Sequence, residues 1–163
     1  MVEYKIWYSN LMQETHIEVH EFLNAHPVGV LSTVDNGKPW GSAIYFVADE
    51  EFNCFFITRV DTLKFKNIDK NAEVALTVAD PEAQTTVQLS GTVSKVPANQ
   101  IMDVAFHKIA AVQPKSESGW APPIMKIHKG DYMVLQITPS ALQYANYSGS
   151  TTDIHHEYIK KII

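Results

Sequence analysis

Apolar residues in the first 25 positions recur with a helical period. The recurring set is Leu11, Thr15, Val19, Phe22 and Leu23, and glutamates occupy the positions between. Ser9 or Asn10 can cap the start of such a helix, and Pro27 ends the pattern. The sequence therefore predicts one amphipathic helix over about residues 10–25.

After Pro27 the pattern changes from helical to extended. Residues 28–34 are apolar and β-branched, Asn36-Gly37 follows, and a second extended run covers residues 39–47. Asn-Gly between two such runs predicts a tight hairpin, because both residues tolerate positive φ. Four further strands are predicted at residues 54–58, 73–78, 84–91 and 132–144.

Helical signals are few in the rest of the chain. Asp61 can cap a short helix that ends at Lys70, and Pro97 precedes a predicted helix at about 98–110. Residues 112–123 are typical of an irregular loop. Six strands with so few helices predict a mainly β protein with flanking helices, built on an antiparallel barrel. We expect one domain over residues 1–148 and a tail over 149–163 that is helical or loosely ordered.

Composition narrows the class of protein. The 163 residues carry a net charge of −5 with no basic block, which disfavours nucleic-acid binding. No apolar run is long enough for a membrane span, and residues 1–5 do not open a signal peptide. Cys54 is the only cysteine, and His16 and His20 lack a third metal ligand. We expect a cytoplasmic protein without a metal site.

The segment from Phe55 to Lys64 is the best candidate for binding chemistry. A strand leads into a short helix, and Thr58, Arg59, Thr62 and Lys64 lie around the helix start. The N-terminus of a helix attracts anions through its free N–H groups and its dipole. These residues predict an anion site, and the alternative is a capped surface helix with two solvated cations.

In their order and spacing, these segments resemble the FMN-binding split-barrel superfamily, typified by pyridoxamine 5′-phosphate oxidase. The matching runs are residues 30–39 with the strand that continues to 46, then 56–58, 62–64, 67–68, 71–76 and 87–93. The resemblance implies a six-stranded antiparallel split β-barrel that binds FMN. It also implies a homodimer with the flavin at the subunit interface and a small-molecule substrate.

The resemblance also assigns site residues. Flavin contacts are implied for Ser42, Ala43, Ile44 and Tyr45, many of them through backbone groups. The ribityl-phosphate is implied to lie near Ile57, Thr58, Thr62, Leu63 and Lys64. Arg59 joins these cofactor-binding residues as a cation of the anion site predicted above. Thr86 and Gln88 are implied to lie close to the flavin at the interface, and Trp120 to reach it from the partner subunit.

Several positions depart from the oxidases of this superfamily. Ser42 and Leu63 stand where those enzymes carry arginine, and Ala145 stands where they carry tryptophan. Their C-terminal Arg-x-His motif is absent from residues 153–157. We therefore expect an FMN-dependent oxidoreductase of the general-stress or reductase branches rather than a pyridoxamine 5′-phosphate oxidase, with no catalytic side chain assigned. The alternatives are a non-enzymatic flavin-binding or flavin-sensing protein and a barrel that binds haem or a deazaflavin.

Overall fold

The architecture is an antiparallel sheet that closes into a barrel. A computed structural model describes residues 2–97, 131–148 and 158–163. Their elements are α1 (Val2–Ala25), β1 (Val28–Asp35), β2 (Lys38–Ala48), β3 (Cys54–Arg59), α2 (Leu63–Lys70), β4 (Glu73–Asp80), β5 (Thr85–Val96), β6 (Tyr132–Asn146) and β7 (Ile159–Lys161). Neither helix in these ranges is both long and apolar enough to span a bilayer.

Strand β6 closes the barrel. The sheet order is β3-β2-β1-β4-β5-β6-β7, and β3 also pairs with β6. One edge of β6 pairs with β5, while the other edge pairs with β3 at residues 132–137 and with β7 at residues 143–145. Strands β1 to β6 therefore form a closed six-stranded antiparallel barrel, which confirms the predicted fold class.

Local sequence signals account for much of this architecture. Asn36 and Gly37 have φ of 50° and 75°, and Asp35 pairs with Lys38 across the predicted hairpin. In β5 the buried and exposed residues alternate from Thr85 to Val93. The alternation directs apolar side chains into the barrel, where each fully buried one contributes about 1.5–3 kcal/mol.

The core is apolar and continuous, and α1 closes it on one side. Phe46, Phe56 and Leu76 are fully buried within the barrel, as is Leu23 of α1. Cys54 is also buried, and this burial, with a smaller contribution from the charge of Asp49, raises the pKa of its thiol to about 12. Cys54 therefore packs as a small apolar residue.

Two predicted helix starts are wrong. Helix α1 begins at Val2 rather than near residue 10, because residues 2–9 contain no glycine or proline to stop it. Helix α2 begins at Leu63 and is capped by Thr62 rather than Asp61. The Asp61 carboxylate is engaged by Arg59 instead.

The prediction of a helical or loosely ordered tail is wrong at residues 159–161, whereas residues 149–157 lie outside the described residues. Residues 159–161 form β7, because β6 extends beyond β3 and offers an open edge to which they pair. The predicted helix at 98–110 and the predicted loop at 112–123, with Trp120, lie outside the described residues.

Gly91 marks an irregular point in the β5–β6 pairing. The register shifts between Ser90 and Gly91, which face Ala141 and Pro139. A Cβ atom at Gly91 would lie 2.9 Å from the Cα of Pro139 and closer still to the carbonyl oxygen of Thr138. A side chain there requires the backbone of β6 to move.

We expect Gly91→Ala to lower the free energy of unfolding by at least about 2 kcal/mol, because both neighbouring atoms belong to the backbone. Gly41→Ala is the matched control, since its Cβ would meet only Val30 Cγ1 at 3.5 Å. The control should stay within about 0.5 kcal/mol of the wild type in urea unfolding. Equal losses in the two variants would contradict the close approach at Gly91.

Candidate functional site

Helix α2 starts at the end of β3 with an uncompensated positive charge. Its first turn contains no acidic residue but contains Lys64 and Lys66. Cations are disfavoured at a helix N-terminus, where the dipole and the unpaired N–H groups are themselves positive. This arrangement fits an anion that binds at the start of α2.

Two threonine hydroxyls shape the start of this helix. Thr58 Oγ1 and Thr62 Oγ1 lie 3.2 Å apart, and the Thr62 hydroxyl donates to the carbonyl oxygen of Arg59 at 2.8 Å. Thr62 Oγ1 also accepts from the Phe65 N–H at 3.4 Å. With the Thr62 hydrogen used in this way, Thr58 donates to Thr62. Both hydroxyl hydrogens therefore stabilise the turn into α2.

Arg59 is engaged within the same turn. Its guanidinium Nε donates to Asp61 Oδ1 at 2.9 Å, and its second nitrogen contacts Asp61 Oδ2. Asp61 thus neutralises Arg59. In this arrangement the cationic character of the site comes from the two lysines rather than from Arg59.

Lys64 is a half-buried cation that the structure leaves without an ion pair. It is half-buried, and none of the ion pairs among the described residues involves it. Desolvation by this burial lowers the pKa of the Lys64 ammonium group below its ordinary value. Lys66 in the same turn is exposed.

Part of one edge of strand β2 is open. Residues 38–45 pair with β1, whereas β3 pairs with β2 only at residues 46–48. The second edge of residues 38–44 has no strand partner in the described part of the chain. Its alternate backbone N–H and C=O groups can bind a planar polar ligand.

The side chains of β2 and β3 at this edge differ in their exposure to solvent. Ser42, Ala43 and Tyr45 are at least partly exposed, while Ile44 is buried at 4% exposure and can reach a ligand only through its backbone. On β3, Ile57 is partly exposed and Thr58 is buried.

Thr86 and Gln88 lie on β5, away from α2. The cross-strand row Ala43–Val30–Thr77–Gln88 runs over β2, β1, β4 and β5 on the outer face of the barrel. Three strand spacings separate Ala43 from Gln88, or roughly 14 Å. The structure therefore joins β3 to the start of α2 through Thr58 and Thr62, and it separates Gln88 from β2 by three strand spacings. Trp120 lies outside the described residues.

Comparison with known proteins decides the family. Residues 15–146 match the sequence profile described as pyridoxamine 5′-phosphate oxidase. The chain belongs to the pyridoxamine 5′-phosphate oxidase family. No curated protein matches the chain.

Solved structures of other proteins have the same fold. General Stress Protein 26 from Bacillus anthracis is 18% identical with a TM-score of 0.58, over 77% of this chain and 92% of that one. An FAD-binding protein from Mesorhizobium loti is 14% identical with a TM-score of 0.61, and the match covers 77% of this chain and 88% of that one. A structure named F420 reductase is 26% identical with a TM-score of 0.58, and the match covers 76% of this chain and 94% of that one.

Two polar residues near the site were missed by the sequence reasoning. Asn67 of α2 and Thr33 of β1 are both buried, and the Asn67 Nδ2 donates to the Thr33 Oγ1 at 3.0 Å. The signal was present, because Thr33 occupies an inward position in the alternation of β1, next to Leu31. A polar side chain at a core position of a barrel needs a hydrogen-bond partner inside the protein.

We searched the described ranges for clusters of side chains that could bind a metal ion. They contain no group of three histidine, cysteine or acidic side chains placed to hold a metal ion. His16 contacts the carbonyl oxygen of Glu50 at 3.3 Å and packs against Phe52. His20 lies 3.0 Å from the amide of Asn24.

The lowered pKa of Lys64 has a consequence for the stability of the ligand-free protein. Burial penalises the charged form of this side chain, so we expect Lys64→Met to unfold at the same or a higher urea concentration at pH 7. The penalty applies while the folded-state Lys64 is charged. It fades as pH rises from the lowered pKa toward the ordinary lysine value of 10.5.

The difference in stability between wild type and Lys64→Met should therefore be largest near neutral pH and shrink toward pH 10. A clear loss of stability at pH 7 would show that Lys64 has a structural partner, and the inference of an available cation would then be wrong. Lys66→Met, at an exposed position of the same turn, should have no comparable pH dependence.

Proposed function

We propose that the protein is an FMN-binding flavoprotein that acts as an oxidoreductase on a small molecule. The observation that carries this proposal is Lys64, a half-buried cation without an acidic partner in the first turn of α2. Family membership supplies the reason to expect a flavin phosphate as the anion. Bound flavin supplies the redox chemistry, and the protein binds and orients it.

The residues around α2 suit one terminal phosphate. The first N–H groups of the helix and the Lys64 ammonium can donate charge-assisted hydrogen bonds to it. Leu63, which is 48% exposed, offers no donor, and Arg59 is held by Asp61. The site therefore has fewer cationic donors than the arginine positions of the oxidases would give, which argues against the vitamin oxidase reaction.

The open edge of β2 suits the ring of the flavin. Ser42, Ala43 and Ile44 offer backbone groups there, on the side that β3 leaves uncovered. The carbonyl and N–H groups at the edge of an isoalloxazine ring are complementary to such a strand edge. With the ring at β2 and the phosphate at α2, the ribityl group would span the distance between them.

A homodimer is part of this proposal. The middle of the outer face of β2, β1 and β4 presents small or apolar residues, and the nearest charge on this face of β4 is Glu73 at the strand end. The residues are Gly41, Ala43, Val28, Val30, Ser32, Ala75 and Thr77. Val28 and Val30 are 44% and 49% exposed. A second copy on this face would cover them and could bring Thr86 and Gln88 to the flavin of its partner.

A deazaflavin is the second candidate ligand. The structure named F420 reductase has the highest sequence identity of the three structures compared above, at 26%. F420 also carries phosphate, so the start of α2 does not discriminate between the two ligands. Mass spectrometry of the ligand released from purified protein distinguishes FMN from a deazaflavin, and an absorption spectrum identifies haem.

We expect Lys64→Glu to weaken FMN binding tenfold to a hundredfold, which corresponds to ~1.5–3 kcal/mol. The variant replaces attraction by repulsion where the phosphate binds. The measurement is fluorescence titration of the apo-protein with FMN, with circular dichroism to check the fold. Lys66→Glu makes the same charge change at an exposed position of the same turn and should cost much less.

Equal effects of the two substitutions would mean that only the general charge of the helix matters, and unchanged affinity in Lys64→Glu would place the phosphate elsewhere. Oxidation of a reduced nicotinamide by the FMN-loaded protein distinguishes an enzyme from a flavin-binding or flavin-sensing protein. Absence of turnover with any small-molecule acceptor would favour the second class.

The proposed dimer predicts a mass in light scattering near twice the 18.3 kDa of the chain. Val30→Lys should shift the protein toward the monomer, because it places a charge in the middle of the apolar face. Ile17→Lys is the control, at a similarly exposed apolar position on α1. A wild-type monomer that binds FMN tightly would contradict a site shared between subunits.

A further inference from the structure

A chain of hydrogen bonds joins α2, β1 and β2. Asn67 of α2 is 3% exposed and Thr33 of β1 is fully buried. The Asn67 Nδ2 donates to the Thr33 Oγ1 at 3.0 Å, and the Thr33 hydroxyl donates to the carbonyl oxygen of Trp40 on β2 at 3.3 Å. Asn67 and Thr33 thus connect three elements through side chains that solvent does not reach.

Stability alone does not explain this polar pair. Asn67 and Ile68 are the buried residues of α2, and no described group donates a hydrogen bond to Asn67 Oδ1. A buried acceptor without a donor destabilises the fold, because it has lost its hydrogen bonds to water. Leucine at 67 and valine at 33 would bury similar volume without that loss. The polar pair supplies instead a directional contact of fixed length.

The two ends of this chain of hydrogen bonds lie at the two halves of the proposed flavin site. Lys64 lies one turn before Asn67 on the same helix, at the phosphate end. Trp40 lies two residues before Ser42, where the open edge of β2 is proposed to bind the ring. The contact between Asn67 and Thr33 therefore sets where α2 lies relative to β2.

We infer that Asn67 and Thr33 are positioning residues that fix the distance between the phosphate-binding start of α2 and the ring-binding edge of β2. This inference rests on the proposed flavin function and adds to it. Neither residue touches the ligand. Their effect is to hold both halves of the site in a geometry that one FMN molecule satisfies at once.

The test compares FMN with riboflavin, which has the same ring but no phosphate. Thr33→Val and Asn67→Leu should each weaken FMN binding about tenfold and riboflavin binding by less than about threefold. Only FMN has to satisfy both halves of the site. Because the two residues act as one unit, the double variant should bind FMN no more weakly than the weaker of the two single variants.

Two controls separate positioning from packing. Thr33→Ser keeps the hydroxyl and should retain FMN affinity within about twofold of the wild type. Val78→Ala removes core volume on β4, away from the proposed site, from a residue that is 1% exposed. It should lower the unfolding temperature without changing the ratio of FMN to riboflavin affinity.

The same affinity ratio in Thr33→Val, Asn67→Leu and Val78→Ala would overturn the inference, because the polar pair would then act through packing alone. A wild-type protein that binds neither flavin would overturn the proposed function and this inference together. That result is seen in the wild type before any variant is made, so the two failures are distinguishable.

Discussion

The fold depends on how β3 is shared between two neighbours. This six-residue strand pairs along its whole length with β6, which closes the barrel, and with only residues 46–48 of β2. Closure therefore leaves the first part of β2 with an open edge among the described residues. The same strand leads within four residues to α2. Both the open edge and the start of α2 follow from this one short strand, and the two features are the basis of the candidate site.

Electrostatics at this point favour ligand binding over stability. Lys64 and Lys66 stand at the positive end of α2, and Lys64 is partly desolvated as well. Asn67 retains a buried acceptor without a donor in the described structure. Each feature costs free energy in the ligand-free protein, and each is accounted for if an anion and a fixed helix position are needed for function. Features of this kind commonly mark functional sites in otherwise consistent folds.

Sequence reasoning succeeded where the signal is local. Asn36 and Gly37 form the hairpin turn because both adopt positive φ, and the alternation of apolar and polar residues in β5 distinguishes its core face from its surface face. It failed where two local options compete: Asp61 and Thr62 are both good helix caps, and the choice depends on Arg59 taking the Asp61 carboxylate. The hydrogen bond between Asn67 and Thr33 joins residues 34 positions apart in the sequence. Strand β7 forms only because β6 extends beyond the end of β3. Such contacts follow from the closed barrel and not from any short segment. The positions of Lys64 and Thr62 could be anticipated, whereas the neutralisation of Arg59 could not.

The most direct test of the account is a crystal structure of the protein soaked or grown with FMN. We expect the phosphate to lie within hydrogen-bonding distance, about 2.7–3.2 Å, of Lys64 Nζ and of N–H groups in the first turn of α2. The ring should lie along the open edge of β2 at residues 42–44. A phosphate held away from α2, with Lys64 in solvent, would contradict a phosphate site at the start of this helix.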